Sequence, residues 1–281
     1  ISLPLLGLLA ARMPERDRRL IWWGVTSLWW MLFFVGAGRG TLLGLLAGIA
    51  LALVALRRQA VAWCVSLLLS GLAGLVLYLL LYVLLPVQRG LEPFGLLFSR
   101  VARSVSEDPS SGRLQLWARA WEMVQAHPWV GAGPAHFAHV ARDLPYGAHP
   151  HNWVLQVASE WGLPALFFLC AALALSISKL LRLRWVVAAK QRDTLTAWLV
   201  TGGAILVDGL FSGLIVMPVS QLWIALYLGC AWGWTASLSS SVTEMCRGLY
   251  GPGRGIARRG FAVLAALLLV VVLIWGIGPE L

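Results

Sequence analysis

The chain is divided into apolar runs about as long as a bilayer is thick, with short basic segments between them. A transmembrane helix needs about 20 apolar residues, with about 17 as the lower limit. After a partial run at 1–11, candidate spans lie at 20–37, 40–56, 60–86, 153–178, 194–212, 220–237 and 261–277. Only 12% of the residues are charged, about half the share in a soluble domain. The sequence therefore predicts an all-α fold, a polytopic transmembrane helix bundle.

The net charge of +10 comes from basic clusters between the apolar runs, so we interpret it as a topology signal and predict no nucleic-acid partner. Loops 12–19, 57–59, 179–193 and 238–260 carry most of the 22 Lys and Arg residues and are expected in the cytoplasm. Arg39, a long loop and segment 213–219 then lie outside. We divide the chain into N-terminal spans at 1–86, a periplasmic loop at 87–152 and C-terminal spans at 153–281. Because Ile1 begins inside an apolar run, we expect further spans upstream.

The long loop is patterned as two amphipathic helices. The first carries apolar residues at helical spacing between Phe94 and Val105. The second is predicted to start near Asp108-Pro109 and to place an apolar stripe on one side. That stripe consists of Leu114, Trp117, Trp121 and Val124. We expect both helices to lie on the outer membrane face.

The sequence His149-Pro150-His151-Asn152 stands where the loop meets the next span. Asn152 can cap that helix, and the polar residues Gln156, Ser159 and Glu160 then share one of its faces. Polar groups at membrane depth face protein or water, so this stripe points inward. His151 is the candidate general base. His149 supports His151, contacts the ligand or is solvated.

Three charged residues can accompany the histidines. Arg39 lies in a glycine-rich hairpin, where it either meets an anionic group or reaches the lipid headgroups. Arg113 lies at the start of the second amphipathic helix and either shares an anion with the helix amides or is solvated. Asp208, near the outer end of its span, is a functional carboxylate or one half of an ion pair with Arg39.

Two further patterns bear on packing and cofactors. Gly40, Gly44 and Gly48 form a small-xxx-small face, which predicts close helix packing. His127, His136 and His139 lack the carboxylate or Cys partners of a zinc site, so we expect no metal and no cofactor. A basic, His-containing outer site suits an anionic, lipid-anchored substrate.

The stretch from Arg113 to Leu166 resembles the signature region of the O-antigen ligase and O-antigen polymerase superfamily, which includes bacterial protein O-oligosaccharyltransferases. The matching positions are Arg113, Trp117, Pro128, Gly131, Gly133, Phe137, His151-Asn152, Leu155-Gln156 and Glu160-Trp161-Gly162. Upstream, Arg39 is similar to the family's Arg at the outer end of a span, with Gly38 in the place of the usual Ser.

The resemblance implies a metal-independent glycosyltransferase of the bacterial inner membrane with its site facing the periplasm. Its donor would be an undecaprenyl diphosphate-linked glycan and its acceptor lipid A-core, another glycan or a protein. Arg39 and Arg113 would bind the diphosphate, His151 or His149 would activate the acceptor, and Asn152, Gln156, Glu160 and Asp208 would support them. An O-antigen ligase is the first interpretation, and a polymerase or protein transferase shares its chemistry. A transporter is the alternative from another class, although the sequence lacks the paired broken helices that it predicts.

Overall fold

The structure is a computed structural model that describes residues 15–36, 38–81, 112–144, 147–185 and 187–247. In these ranges the chain forms eight α-helices and a short 3-10 helix, Ala189–Gln191, and no strand. The α-helices are α1 Glu15–Gly36, α2 Arg39–Leu56, α3 Arg58–Leu79, α4 Arg113–Ala126, α5 His136–Val140, α6 Trp153–Leu183, α7 Arg192–Asp208 and α8 Pro218–Arg247. The all-α prediction is confirmed for this part of the chain. The partial run 1–11, the predicted helix at 94–105 and the span at 261–277 lie outside the described residues.

Six of these helices coincide with the predicted spans, because each contains one of the long apolar runs. Arg58–Leu79 and Trp153–Leu183 are long and apolar enough to cross a membrane, and α1 and α2 contain shorter apolar helices. The described residues divide between Ile215 and Val216 into two compact units. The second unit contains α8, and the first contains the seven other helices.

The closest helix packing in the first unit joins α2 to α7. A Cβ atom at Gly44 would lie 2.7 Å from the carbonyl oxygen of Ala204, and one at Gly48 would overlap the carbonyl of Val200. Only glycine therefore allows the two backbones this approach. The predicted small-residue face is confirmed, and it fixes the start of α2 beside the end of α7.

Helix α6 is interrupted near its middle. Its 31 residues would extend about 46 Å as a straight helix, which exceeds the roughly 30 Å of a bilayer core. Gly162 has φ 86° and ψ 167°, and Pro164 follows inside the helix. The part from Pro164 onward is about 30 Å long and can span the core alone. The polar stripe lies before the interruption and is buried in protein.

Helix α4 packs one of its faces against protein. It begins at Arg113, after Gly112 in the left-handed conformation, and not near Asp108-Pro109. Its buried residues are Leu116, Ala120, Met123 and Val124. Leu116, Ala120 and Met123 pack with Phe137 and Ala141 in a small core, which Leu155 of α6 and Trp117 border. Within the predicted stripe Val124 is buried, whereas Leu114 and Trp121 are exposed. The contact of this stripe with the outer membrane face stays a prediction.

Candidate active site

The two histidines of the turn before α6 lie side by side. Their ring centroids are 4.1 Å apart and their planes are inclined by 40°. His149 is buried, whereas His151 is half-buried. The backbone of His151 has φ 53°, a left-handed conformation that non-glycine residues seldom adopt. Strained positions of this kind concentrate at functional sites.

Two hydrogen-bonded groups hold this turn in place. Asn152 caps α6 as predicted, because its Oδ1 accepts hydrogen bonds from the backbone N–H groups of Val154 (3.0 Å) and Leu155 (3.1 Å). From α4, Trp117 Nε1 donates to the carbonyl oxygen of Pro150 at 2.9 Å. The position of both imidazoles is therefore fixed from two helices.

The surroundings keep the histidines neutral near pH 7. Burial lowers the pKa of His149. Burial, then the charge of His149 and then that of Arg113 lower the pKa of His151 to about 4. His151 is thus a neutral imidazole at neutral pH, with one ring nitrogen free to accept a proton, and the positive charge of Arg113 acts on it. A neutral imidazole can accept a proton, and a guanidinium can hold an anion.

His149 has an unsatisfied nitrogen. Its Nε2 is buried and has no hydrogen-bond partner among the residues that the structure describes. The ring lies against Gly213, where a Cβ atom would overlap Nε2. A buried polar atom without a partner costs about 1–3 kcal/mol. Such an atom is typical of a site that is completed by a ligand or water.

The turn 208–213, which follows α7, joins three helices at the histidines. The backbone N–H of Trp153, the first residue of α6, donates to the carbonyl oxygen of Gly209 at 2.9 Å. The indole Nε1 of Trp153 donates to the carbonyl oxygen of Leu206 at 3.0 Å. The rings of Trp117 and Phe211 lie 6.5 Å apart. This turn therefore connects α4, α6 and α7 around the His149–His151 pair.

The same turn reaches the start of α2. Thr41 Oγ1 donates to Asp208 Oδ1 at 3.3 Å, and a Cβ atom at Gly40 would lie 3.0 Å from that same oxygen. Arg39 is the first residue of α2, so its backbone lies one residue from this contact, although its side chain is outside what the structure describes. The predicted pairing of Arg39 with Asp208 therefore stays a prediction.

Glu160 follows the histidines along the chain, and its side chain contacts the start of α5. Its buried carboxylate accepts hydrogen bonds from the backbone N–H groups of Phe137 (3.2 Å) and Ala135 and from the side chain of Gln156. Ala135 and Phe137 flank the start of α5, so Glu160 caps that helix. The structure thus places the Glu160 carboxylate at the start of α5, hydrogen-bonded to Gln156.

The loop 128–133 fills the interruption of α6. Leu163 N–H donates to the Pro128 carbonyl (2.8 Å), while the carbonyls of Ser159 and Glu160 accept from Ala132 (2.8 Å) and Gly133 (3.1 Å). Proline at 164 has no N–H, so the Glu160 carbonyl would otherwise lack a helical partner. Cβ atoms at Gly131 and Gly162 would overlap the facing backbones of Glu160 and Trp129. The glycines of this motif therefore permit the two segments to touch.

The predicted site is brought together in part. His149 and His151 lie side by side and the charge of Arg113 acts on His151. Asn152 fixes the turn, and Asp208 lies beside the start of α2. Gly213, Phe211 and Thr41 also contribute, and sequence reasoning missed all three. Only the position of Gly213 near the predicted outer end of a span could have drawn attention to it. The described part of the chain has no group of three His, Cys, Asp or Glu side chains that could hold a metal ion.

Fold and site together define a helical membrane protein with a paired-imidazole site at one end of its helices. The chain belongs to the O-antigen ligase family, whose model matches residues 24–170. It is therefore a bacterial membrane protein of a family whose members carry out glycosyl transfer as ligases or polymerases. In general, the donor of this family is a lipid-linked glycan and the acceptor is a glycan. The matched segment contains both histidines and both candidate arginines. Neither a curated protein nor a solved structure matches the chain.

Proposed function

We propose that the chain is an O-antigen ligase that moves a glycan from undecaprenyl diphosphate to a hydroxyl of lipid A-core. The observation that carries this proposal is the pair of adjacent His149 and His151 rings, inside the segment matched by the family. The positive charge of Arg113 acts on His151. We place the reaction at the periplasmic face of the inner membrane, because the basic loops predict that the histidines lie on the opposite side from the cytoplasm.

In the proposed reaction His151 is the general base. A ring nitrogen of His151 takes the proton of the acceptor hydroxyl as the hydroxyl oxygen bonds to the anomeric carbon of the donor sugar. The bond from that carbon to the diphosphate oxygen breaks, and undecaprenyl diphosphate leaves with its electron pair. His149 packs against His151 and positions it. A general base of this kind contributes about 10²–10⁴-fold to a rate.

Arg113 and Arg39 bind the diphosphate in this proposal, since a guanidinium fork fits two phosphate oxygens. The bound diphosphate also changes the pKa of His151. The charge of Arg113 lowers the pKa of His151, and a diphosphate offsets that charge and raises this pKa again. His151 becomes the stronger base when the donor is in place. The arginines supply the positive charge, so we propose that transfer needs no metal ion and persists in excess EDTA.

The test is a reconstituted transfer assay. The purified chain in liposomes receives an undecaprenyl diphosphate-linked glycan together with lipid A-core, a second glycan donor or an acceptor protein. The proposal expects glycosylated lipid A-core. Elongated undecaprenyl-linked polymer would assign a polymerase instead, and glycoprotein would assign a protein transferase. No transfer to any acceptor would overturn the glycosyltransferase proposal.

Arg39→Lys in the same assay tests the diphosphate contact. Lysine keeps the charge but loses the fork, so we expect a strong loss of transfer. Arg12→Lys is the matched control, because Arg12 lies in a loop predicted on the cytoplasmic side. Near-normal turnover of Arg39→Lys would favour an arginine that only reaches the lipid headgroups.

A further inference from the structure

A second concave site lies between α4 and α5, apart from the histidine pair. It is a groove of about 260 Å³. Its floor is apolar and is formed by Met123, Ala132 and Val140, of which Met123 is buried. Its rim is polar and carries Arg119, Glu122, His127 and His136. An apolar floor under a polar rim matches the two faces of a sugar ring, which has C–H groups on one face and hydroxyls at the edge.

The charges of the rim disfavour a phosphate. The guanidinium of Arg119 lies 3.6 Å from a carboxylate oxygen of Glu122 and 3.4 Å from one of Asp143. Two carboxylates thus share one guanidinium, which leaves no excess positive charge for an anion. Guanidinium, carboxylate and imidazole groups together donate and accept hydrogen bonds, as a neutral polyhydroxyl ligand requires.

The walls of the groove are held by the interrupted part of α6. The backbone N–H of Ala132 donates to the Ser159 carbonyl, and Glu160 caps the start of α5, from which His136 projects. Groups held in this way are already ordered before a ligand arrives, which lowers the entropy cost of binding. The proline, glycine and glutamate positions of the family motif therefore build this groove, although they do not reach the histidine pair.

We propose that the groove binds one sugar ring of the glycan substrate, away from the bond that reacts. This inference rests on the proposed function. The volume is below the roughly 300–1,000 Å³ of sites for drug-sized ligands, so it suits a single ring. Met123 lies about 15 Å along α4 from Arg113. A ring in the groove therefore belongs to a part of the donor or acceptor glycan distant from the diphosphate.

The test fills the groove with a large side chain. Ala126 lines it and is exposed, so Ala126→Trp blocks the groove without disturbing the core. Ala118→Trp is the matched control, because Ala118 is exposed on the same helix and outside the groove. We expect Ala126→Trp to raise the KM for one glycan substrate at least tenfold with kcat within twofold. The substrate whose KM rises, donor or acceptor, is the one that occupies the groove.

Two results would overturn the proposal: both KM values within twofold of wild type, or equal changes in Ala118→Trp. A binding experiment separates this inference from the proposed reaction. Core oligosaccharide and O-antigen polysaccharide, each released from lipopolysaccharide by mild acid, are added to the protein in detergent, and saturation-transfer NMR reports contact. At least one should give a signal that Ala126→Trp loses and Ala118→Trp keeps. Such a signal supports the groove even if no transfer is found, and signals from neither glycan, or signals equal in both variants, contradict it.

Discussion

The histidine turn and the interrupted part of α6 are separated by only a few residues, yet they differ in whether their buried polar groups have hydrogen-bond partners. At the interruption, the carbonyls of Ser159 and Glu160 and the N–H of Leu163 all find partners in the loop 128–133. At the turn, His149 Nε2 is buried and has no partner among the described residues, and His151 has a strained backbone. The backbone groups at the interruption are therefore satisfied within the chain, whereas the turn contains a buried imidazole nitrogen without a partner among the described residues.

We infer from this difference that the interrupted part of α6 maintains the fold, whereas the histidine turn takes part in the reaction. Satisfied backbone groups fix the shape of the loop and of the start of α5, so changes there should act on stability. Unsatisfied or strained groups persist only where the surroundings enforce them, so changes there should act on turnover. The predictions below test this division.

The largest expected effect is on folding, from Gly131→Ala. A Cβ atom would overlap the Glu160 backbone, and φ at this position is 70°. Gly112→Ala is the control, because its φ of 75° is similar and no atom of the described residues would lie within 4 Å of the added Cβ. The control should lose about 1–2 kcal/mol of stability, whereas Gly131→Ala should lose considerably more and yield little folded protein. Melting temperatures in detergent measure both, and equal losses would contradict the close-contact account.

Gly213→Ala should reduce turnover and leave the fold intact. The added methyl group displaces the His149 ring, and a misplacement of about 1 Å near reacting groups can cost about 10²-fold. Gly24→Ala is the control, since none of the described residues lies within 4 Å of a Cβ atom at that glycine. We expect a kcat loss of ~10–100-fold with a melting temperature close to wild type. Full activity in Gly213→Ala would mean that the position of His149 is unimportant.

Arg113→Met should shift the pH profile. The positive charge of Arg113 lowers the pKa of His151, so its removal raises that pKa. The acid limb of kcat/KM, where activity falls as His151 becomes protonated, should therefore move to higher pH. Arg142→Met, which changes an exposed arginine, should leave the limb in place. An unmoved limb in Arg113→Met would show that the two side chains do not interact as described.

Trp117→Phe should have the smallest effect. It removes the hydrogen bond to the Pro150 carbonyl and should cost about 1 kcal/mol of stability. Trp121→Phe on the same helix is the control, because Trp121 is exposed. Thermal unfolding of the two variants should therefore differ, and identical curves would indicate that the indole does not fix the turn.

The helices and the cap could be predicted because their signals are local. The length of the apolar runs predicts the spans. Gly44 and Gly48 on one helix face predict close packing against a second helix, and Asn152 before an apolar run predicts a helix cap. His151 was singled out as an imidazole at a membrane edge, and Arg113 as a guanidinium at the start of an amphipathic helix, and the roles of both stay predictions. In the structure the positive charge of Arg113 contributes to the lowered pKa of His151.

The turn 208–213 could not be predicted, because its contacts join residues far apart in the chain. Gly213 meets His149, and Phe211 meets Trp117, and neither pairing has a periodicity. The protein-facing side of α4 could not be predicted for another reason. That helix has two apolar stripes, and only packing against α5 and α6 decides that Leu116 is buried and Leu114 exposed.

The central claim is that neutral His151 takes the proton of the acceptor hydroxyl. Single-turnover transfer in liposomes, with donor and acceptor saturating, measures that step directly. His151→Ala should reduce the rate by about 10²–10⁴-fold and still bind the donor, while His139→Ala, which changes an exposed histidine on α5, should match wild type. Transfer by His151→Ala at the wild-type rate would contradict the account.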